Sequence, residues 1–189
     1  FSQEDPTRGY RVKVGEQAPK LDFSLLDGAP ITNKNLKGKV VVLQFTASWC
    51  SVCIKEMPHL ESQVWQQFKN EDFILIGIDL KEERKKVEKF IKNTQVTYPF
   101  TIDKDGSLFE SFTLPNAGVT RNIVLDKTGK IIFLSRLYDE KEFEEMNEVG
   151  EKIEEMSEGE NRESKQFWPL FHHPGQVHFI TLIGGSHLS

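Results

Sequence analysis

The chain has 189 residues, of which 38% are hydrophobic and 28% charged, a composition typical of a globular domain with a full hydrophobic core. Its formal net charge of −5 argues against nucleic-acid binding, which usually needs a basic face. No apolar stretch is long enough to cross a bilayer, and the polar start FSQEDPTRGYRVKVG lacks the apolar region of a signal peptide. Because the sequence starts with Phe1 rather than Met, we expect a further segment upstream, where a signal or a membrane tether would lie.

The first predicted elements lead to the two cysteines. Residues 1–13 are expected to form a flexible lead-in. The segment GEQAPKLDFSLLDGAPITNKNLKGK predicts two short strands separated by a turn at Asp27-Gly28. The Val-rich run KVVVLQFTA, at 39–47, is typical of a strand buried on both faces. Residues 48–70 then show helical periodicity, with an apolar stripe at Ile54, Met57, Leu60, Val64 and Phe68.

Strands and helices alternate along the next part of the chain. The patterns predict a strand at 72–80, a helix at 81–94, a strand at 98–103, a short helix at 107–114, a β-hairpin at 121–137 and an acidic helix at 139–156. The apolar stripe of the last helix contains Phe143, Met146, Val149 and Ile153. We therefore expect an α/β fold, with a central mixed sheet, helices on both faces and an antiparallel edge formed by the hairpin.

The composition changes at about residue 157, where a polar stretch is followed by an apolar, His-rich one. We expect 157–189 to be an atypical C-terminal tail, either loosely attached or docked through an extra strand at 177–183. A metal site formed by His172, His173 and His178 is a weaker alternative, because their spacing matches no fixed ligand pattern. We expect neither a metal ion nor a cofactor.

The two cysteines of the chain, Cys50 and Cys53, form a CxxC motif between the buried strand and the helix. At a helix start, unpaired N–H groups and the helix dipole favour thiolate over thiol. They lower the pKa of the first cysteine below its ordinary value of roughly 8.5. The second sulfur, one turn later, is close enough to form a disulfide. A redox-active pair is the favoured interpretation, and inert structural thiols or half of a metal site are the alternatives.

The segment GEQAPKLDFSLLDG, followed by LKGKVVVLQFTASWCSVCIKEMPHLE, resembles the thioredoxin superfamily, and most closely its TlpA/ResA-like branch of exported thiol–disulfide oxidoreductases. The similarity runs over 14–156, the expected thioredoxin-like domain. It implies a thioredoxin-like fold with extra N-terminal strands and a central insertion between Cys50 and Thr120. It also implies an extracytoplasmic location, periplasmic or membrane-anchored, with protein disulfides or dithiols as substrates and an upstream redox partner. We expect a monomer.

The resemblance assigns roles to residues around the motif. Cys50 would be the nucleophile and Cys53 the resolving thiol. Trp49 would flank the sulfur on the docking surface, and Pro58 would kink the active-site helix. Glu56 stands where ResA-like proteins place a glutamate close to the cysteine pair. A partly buried carboxyl there would have a raised pKa and would exchange a proton during the reaction, whereas a solvated surface glutamate is the alternative.

Two further residues bear on proton transfer. Gln44 stands six positions before Cys50, where thioredoxins proper have a buried Asp. This chain therefore lacks that proton acceptor, which makes Glu56 more important. His59 is another candidate base, but we expect it on the helix surface beyond Pro58.

The loop AGVTRNIVLDKTGK departs from the thioredoxin pattern. Relatives have a cis-proline before a late strand, facing the disulfide, but here Thr120 stands at that position. Because a non-proline cis bond costs about 2.5–4 kcal/mol, we expect the Val119–Thr120 bond to be trans. We predict that Val119, Thr120 and Arg121 form the substrate-docking loop. Arg121 either adds positive charge near Cys50 or is solvated at the strand end.

The favoured function is exchange of disulfides with protein partners, as a reductant because the resembling branch mostly reduces disulfides. One alternative is a thioredoxin-fold redox sensor or binding module that uses the disulfide as a switch. Another is a peroxiredoxin-like peroxidase, whose nucleophile needs a Pro-x-x-x-Thr-x-x-Cys setting. Here Ala47 is three positions before Cys50 and Thr46 is out of register, which argues against a peroxidase.

Overall fold

The computed structural model describes residues 7–148, in which a two-stranded hairpin accompanies a five-stranded sheet. The strands are β1 (Asp22–Ser24), β2 (Pro30–Thr32), β3 (Val40–Thr46), β4 (Phe73–Leu80), β5 (Phe100–Asp103), β6 (Arg121–Leu125) and β7 (Ile131–Leu134). The helices are α1 (Asn33–Leu36), α2 (Ser51–His59), a π-helical segment (Leu60–Trp65), α3 (Gln66–Phe68), α4 (Arg84–Thr94), α5 (Ser107–Phe112) and α6 (140–148).

The large sheet has the order β5-β4-β3-β6-β7. Strand β4 is parallel to both β3 and β5, whereas β6 is antiparallel to β3 and β7 is antiparallel to β6. The sheet is therefore mixed, and the hairpin forms its antiparallel edge, which confirms the predicted fold class. Because β6 runs against β3, the start of β6 lies at the carboxyl end of β3, where Phe45 pairs with Arg121.

The apolar core lies on both faces of this sheet, as the predicted α/β fold requires. On one face, the Phe45 ring packs against Phe109 with centroids 5.2 Å apart. On the other face, Met57 and Leu60 pack with Phe143 of α6. All seven residues of β3 are buried, which confirms the interpretation of the Val-rich run as a strand covered on both sides.

The helix after the cysteines differs in detail from the predicted single helix at 48–70. It begins at Ser51, and it widens into the π-helical segment directly after Pro58, which has no N–H to donate to the helical ladder. Ile54 was expected on the buried stripe but is 43% exposed, so this assignment is wrong. Met57 and Leu60 are buried as predicted.

The structure also bears on the two ends of the chain. Part of the expected lead-in is packed, because Tyr10 and Val12 are buried and the Arg11 N–H donates to the Phe112 carbonyl at 2.9 Å. The domain limits at 13 and 156 stay predictions. The tail at 157–189, its three histidines and the residues Val149 and Ile153 lie outside the described residues. Within 7–148, no helix has the length and apolar character needed to cross a membrane.

Gly77 in the middle of β4 allows the ring of Phe100 to lie directly over the strand, because a Cβ at this position would overlap with the ring. We expect Gly77→Ala to lower the free energy of unfolding by about 1–3 kcal/mol, since the ring or the strand must move. Urea unfolding of the oxidised protein measures this change. Gly118→Ala is the matched control, because a Cβ there meets nothing within 4 Å. Equal stability of the two variants would contradict the packing argument.

Candidate active site

The cysteine pair lies at the junction between β3 and α2. Cys50 is the N-cap of α2, and its Sγ accepts a hydrogen bond from the Cys53 N–H at 3.3 Å. The two cysteines form a disulfide, with Cα atoms 5.3 Å apart. Cys50 is half-buried, whereas Cys53 is 0% exposed. A thiolate on Cys50 would keep the N–H of the first helical turn as a donor, which favours the charged form.

The short loop before Cys50 is held by the carboxylate of Glu82, which follows the end of β4. The N–H and the hydroxyl of Ser48 both donate to Glu82, at 2.6 and 2.9 Å. Glu82 also forms an ion pair with Lys86 one turn along α4. Between this anchor and Cys50, the side chain of Trp49 is 63% exposed. A large aromatic surface held beside a reactive sulfur is well suited to contact a partner protein.

Glu56 is buried in a network of amide groups beneath the helix. Glu56 is 1% exposed. Its two carboxyl oxygens accept hydrogen bonds from Gln44 Nε2 at 3.1 Å and from Asn122 Nδ2 at 2.6 Å. The Tyr98 hydroxyl in turn donates to Gln44 Oε1 at 2.7 Å. The alternative of a solvated surface glutamate is therefore wrong.

Burial of Glu56 favours its neutral, protonated form, whereas the hydrogen bonds that it accepts favour the carboxylate. Burial raises the pKa of Glu56 from 4.5 to about 7, although the hydrogen bonds from Gln44 and Asn122 favour the carboxylate. The carboxyl group therefore gains or loses its proton close to neutral pH. This is the property that a group needs to take up and return a proton in successive steps of a reaction.

The loop before β6 places Thr120 directly against the disulfide. Its Oγ1 lies 3.0 Å from Cys50 Sγ and 2.9 Å from Cys53 Sγ. No peptide bond within 7–148 is cis, so the prediction of a trans bond before Thr120 is confirmed. Thr120 has a φ of 67°, an unusual value for a β-branched residue. Its N–H donates to Phe45 O at 3.1 Å and its carbonyl accepts from Leu137 N at 2.9 Å, which holds the backbone there.

Arg121 is buried and binds the backbone rather than solvent. Its Nε donates to Gly118 O at 2.8 Å, and its Nη1 donates to Arg8 O at 2.9 Å. The guanidinium carbon also lies 4.5 Å from the ring centroid of Tyr10. The alternative of a solvated strand-end residue is wrong, and within 7–148 this guanidinium forms a hydrogen bond to neither cysteine. Arg121 ties the loop that carries Thr120 to the N-terminal segment.

Sequence analysis missed several polar residues of this region. Asp79 lies in a strand that is otherwise apolar and Asn122 directly precedes the apolar run of β6, and a polar residue at such a position was the available signal. Within 7–148, neither carboxyl oxygen of Asp79 accepts a hydrogen bond of good geometry, although Glu82 lies close enough to affect its charge. Burial, followed by the charge of Glu82, raises the pKa of Asp79 to about 8, so this carboxyl group is largely neutral at pH 7.

Two other candidates have partners of their own. His59 lies half-buried on the helix after Pro58, and its ring stacks on Tyr138 with centroids 5.1 Å apart. The hydroxyl of Thr46 faces Met57 Sδ at 4.0 Å. Within residues 7–148, no group of three or more His, Cys, Asp or Glu side chains is arranged to hold a metal ion.

The chain is similar to known proteins over most of its length. A family model described as Redoxin matches residues 13–150. The thiol–disulfide oxidoreductase ResA of Bacillus thuringiensis subsp. konkukian is 30% identical over 148 residues, which cover 78% of this chain and 82% of that protein.

Two solved structures extend the similarity to the fold. One is the solution structure of a Bacteroides thetaiotaomicron protein provisionally assigned as a protein disulfide isomerase. It is 45% identical, with a TM-score of 0.75, and the match covers 81% of this chain and 97% of that one. The other is the thioredoxin domain of a thiol–disulfide oxidoreductase from Bacteroides vulgatus. It is 24% identical, with a TM-score of 0.63, and the match covers 75% of this chain and 98% of that one. At this lower identity the second match shows the fold alone.

The raised pKa of Glu56 predicts a specific pH dependence of stability. The folded state binds this proton more tightly than the unfolded state, so the stabilisation is present below pH 4.5 and is lost as the pH rises through about 7. We expect the wild-type protein to lose on the order of 3 kcal/mol across this window and Glu56→Gln to lack that loss. Urea unfolding of the oxidised proteins at several pH values measures the difference.

The exposed residue Glu71 provides the control for this experiment, because Glu71→Gln should keep the wild-type pH dependence. Asp79 titrates in all three proteins, so only the difference between wild type and variant reports on Glu56. Parallel curves for the wild-type protein and Glu56→Gln would contradict the assignment.

Proposed function

Because this chain belongs to the Redoxin family, as a ResA-like thiol–disulfide oxidoreductase, we propose that Cys50 and Cys53 exchange disulfides with protein partners. The observation that carries this proposal is the unequal burial of the two sulfurs at a helix start. Cys50 is the half-buried N-cap, within reach of a partner, and Cys53 is fully buried behind it. A nucleophile needs access to a partner disulfide, whereas a resolving thiol needs access only to the nucleophile.

In the reducing direction, the Cys50 thiolate attacks one sulfur of a partner disulfide. The partner S–S bond breaks, a mixed disulfide forms, and the released partner sulfur takes a proton from solvent. Cys53 then loses its proton and attacks Cys50 Sγ, which forms the Cys50–Cys53 disulfide and releases the second partner thiol. Two electrons pass from the dithiol to the partner, and an upstream redox partner must return them.

We propose that Glu56 accepts the proton that Cys53 loses before it attacks Cys50. The two residues are three positions apart on α2 and both are buried, so they lie on the same face of the helix. A buried Cys53 has no direct access to a base in solvent. Glu56, with a pKa of about 7, accepts a proton near neutral pH and gives it up again.

The docking surface is proposed to consist of Trp49 and the loop of Val119, Thr120 and Arg121. Thr120 already uses its backbone N–H and carbonyl in hydrogen bonds to Phe45 and Leu137. Among the described residues, none bonds the backbone N–H or carbonyl of Val119, so these groups are the ones that an extended partner segment would pair with. Arg121 positions the loop through Gly118, and Pro58 shapes the helix below it.

The wider setting of the protein is proposed by analogy with the same family. We propose an extracytoplasmic, monomeric protein that works as a reductant, with any membrane tether upstream of the present sequence. The thioredoxin-like domain is proposed to span 14–156, followed by the tail at 157–189. A peroxidase has little support, because the hydroxyl of Thr46 faces Met57 Sδ.

Replacement of each cysteine tests the assignment of roles. We expect Cys50→Ala to reduce insulin disulfides no faster than the dithiothreitol background, because no nucleophile remains. Cys53→Ala should instead accumulate mixed disulfides with the substrate, since the resolving thiol is missing. Insulin precipitation measures the first effect, and non-reducing electrophoresis with mass spectrometry measures the second.

Glu71→Gln again provides a control, because this exposed residue is remote from the cysteines in the sequence and has no assigned role. Full reductase activity of Cys50→Ala would show that the mechanism is wrong. The same conclusion would follow if Cys50→Ala, and not Cys53→Ala, trapped the substrate.

A further inference from the structure

We propose that the hydroxyl of Thr120 is the side-chain hydrogen-bond donor to the Cys50 thiolate, and that Thr120 is therefore a catalytic residue of this site. The inference rests on the proposed function of the cysteine pair and specifies how the reduced form of that pair is stabilised. It changes the role of Thr120 from a docking residue to a group that acts on the reacting sulfur.

The position of the hydroxyl carries the argument. Thr120 Oγ1 lies 3.0 Å from Cys50 Sγ and 2.9 Å from Cys53 Sγ, so one O–H group is in contact with both sulfurs. Within 7–148, this oxygen forms no hydrogen bond other than those to the two sulfurs. Besides the backbone N–H of Cys53, it is the polar group that the structure places against Cys50 Sγ.

The orientation of Thr120 is set by its surroundings. The residue is 1% exposed, which leaves little room for water to replace the sulfurs as hydrogen-bond acceptors. Its backbone is held at a φ of 67° by the bonds to Phe45 and Leu137. A β-branched side chain is also stiff about χ1, so the hydroxyl is fixed against the sulfurs before any reaction begins.

The strength of this hydrogen bond depends on the redox state of the pair. Sulfur in a disulfide is a weak acceptor, whereas a thiolate carries a full charge, and hydrogen bonds to charged groups are roughly twice as strong as neutral ones. Reduction by two glutathione molecules breaks the Cys50–Cys53 bond and forms glutathione disulfide. Two electrons and the two glutathione protons pass to the cysteine pair. At a pH above the pKa of Cys50, its thiol then releases a proton to solvent. The hydroxyl then donates to Cys50.

This arrangement has two chemical consequences. The donor shifts the equilibrium towards the dithiol, so the pair is a weaker reductant than the same site would be without the hydroxyl. It also makes Cys50 a better leaving group when a second thiolate of the partner attacks the partner sulfur of the mixed disulfide, because the leaving Cys50 thiolate is stabilised. A proline at this position has no O–H or N–H and would supply neither effect.

Thr120→Val tests the proposal, because valine keeps the branched shape and lacks the hydroxyl. In a Cys53→Ala background, Cys50 is the single thiol, and its alkylation rate with iodoacetamide against pH gives its thiolate fraction. We expect this fraction, below the pKa of Cys50, to fall about tenfold in Thr120→Val and to recover in Thr120→Ser. With both cysteines present, the equilibrium constant for reduction by glutathione should also fall about tenfold, which corresponds to a potential lower by about 30 mV.

Thr101→Val is the matched control. It removes another buried threonine hydroxyl, which donates to Ser24 O and not to sulfur, and should leave both the alkylation profile and the glutathione equilibrium unchanged. If Thr120→Val does not fold, as judged by circular dichroism, Thr120→Ala replaces it with the same expectation of a lower thiolate fraction.

The outcomes separate this inference from the proposed function. The role of the hydroxyl would be overturned if Thr120→Val left the thiolate fraction and the glutathione equilibrium unchanged, or if Thr120→Ser lowered them as much as Thr120→Val. In both cases the wild-type protein would still exchange disulfides. Absence of exchange between the wild-type protein and glutathione would instead overturn the proposed function. A tenfold loss in Thr120→Val with recovery in Thr120→Ser supports both.

Discussion

Strand β3 is paired along both edges and buried along its whole length, and the position of every reactive group depends on it. The strand cannot shift without losing hydrogen bonds to β4 and β6 together. Its carboxyl end therefore holds the loop at Ser48 and the first turn of α2 in a fixed place, and it places Cys50 at the helix N-cap. The antiparallel strand β6 starts at the same edge, so the residue before it, Thr120, faces that turn.

Polar side chains from β3, α2 and β6 meet beneath the helix, away from water. Buried polar groups there need hydrogen-bond partners within the protein. Gln44 and Asn122 each donate to Glu56, and the Tyr98 hydroxyl donates to Gln44 Oε1, whereas Asn122 Oδ1 has no partner within 7–148. A buried carboxyl group without such partners would cost several kcal/mol, by order of magnitude. With them, Glu56 remains ionisable near neutral pH, which links the packing of the core to the proton chemistry of the cysteines.

The cysteine pair thus has two kinds of neighbour. The helix start and the Thr120 hydroxyl favour negative charge on Cys50, the sulfur that meets the partner. In the proposed mechanism, Glu56, which is buried on the same helix as Cys53, takes up the proton that Cys53 loses. Attack and resolution have different requirements, since one needs a stabilised thiolate and the other needs a base. The fold separates them by placing the sulfurs one helical turn apart.

By itself, the sequence determined what depends on local patterns: the alternation of strands and helices, the buried β3, the hairpin at the sheet edge and a CxxC motif at a helix start. These features follow from periodicity, turn residues and spacing over a few positions. Ile54 shows the limit of such patterns, because it is exposed although Met57, Leu60 and Val64 of the same expected stripe are buried. Only the tertiary structure decided the burial of Glu56, the partners of Arg121 and the contact of Thr120 with both sulfurs. Asn122 reaches Glu56 across 66 positions and Thr120 reaches Cys50 across 70, and contacts at such separations depend on strand order and register, which local patterns do not specify.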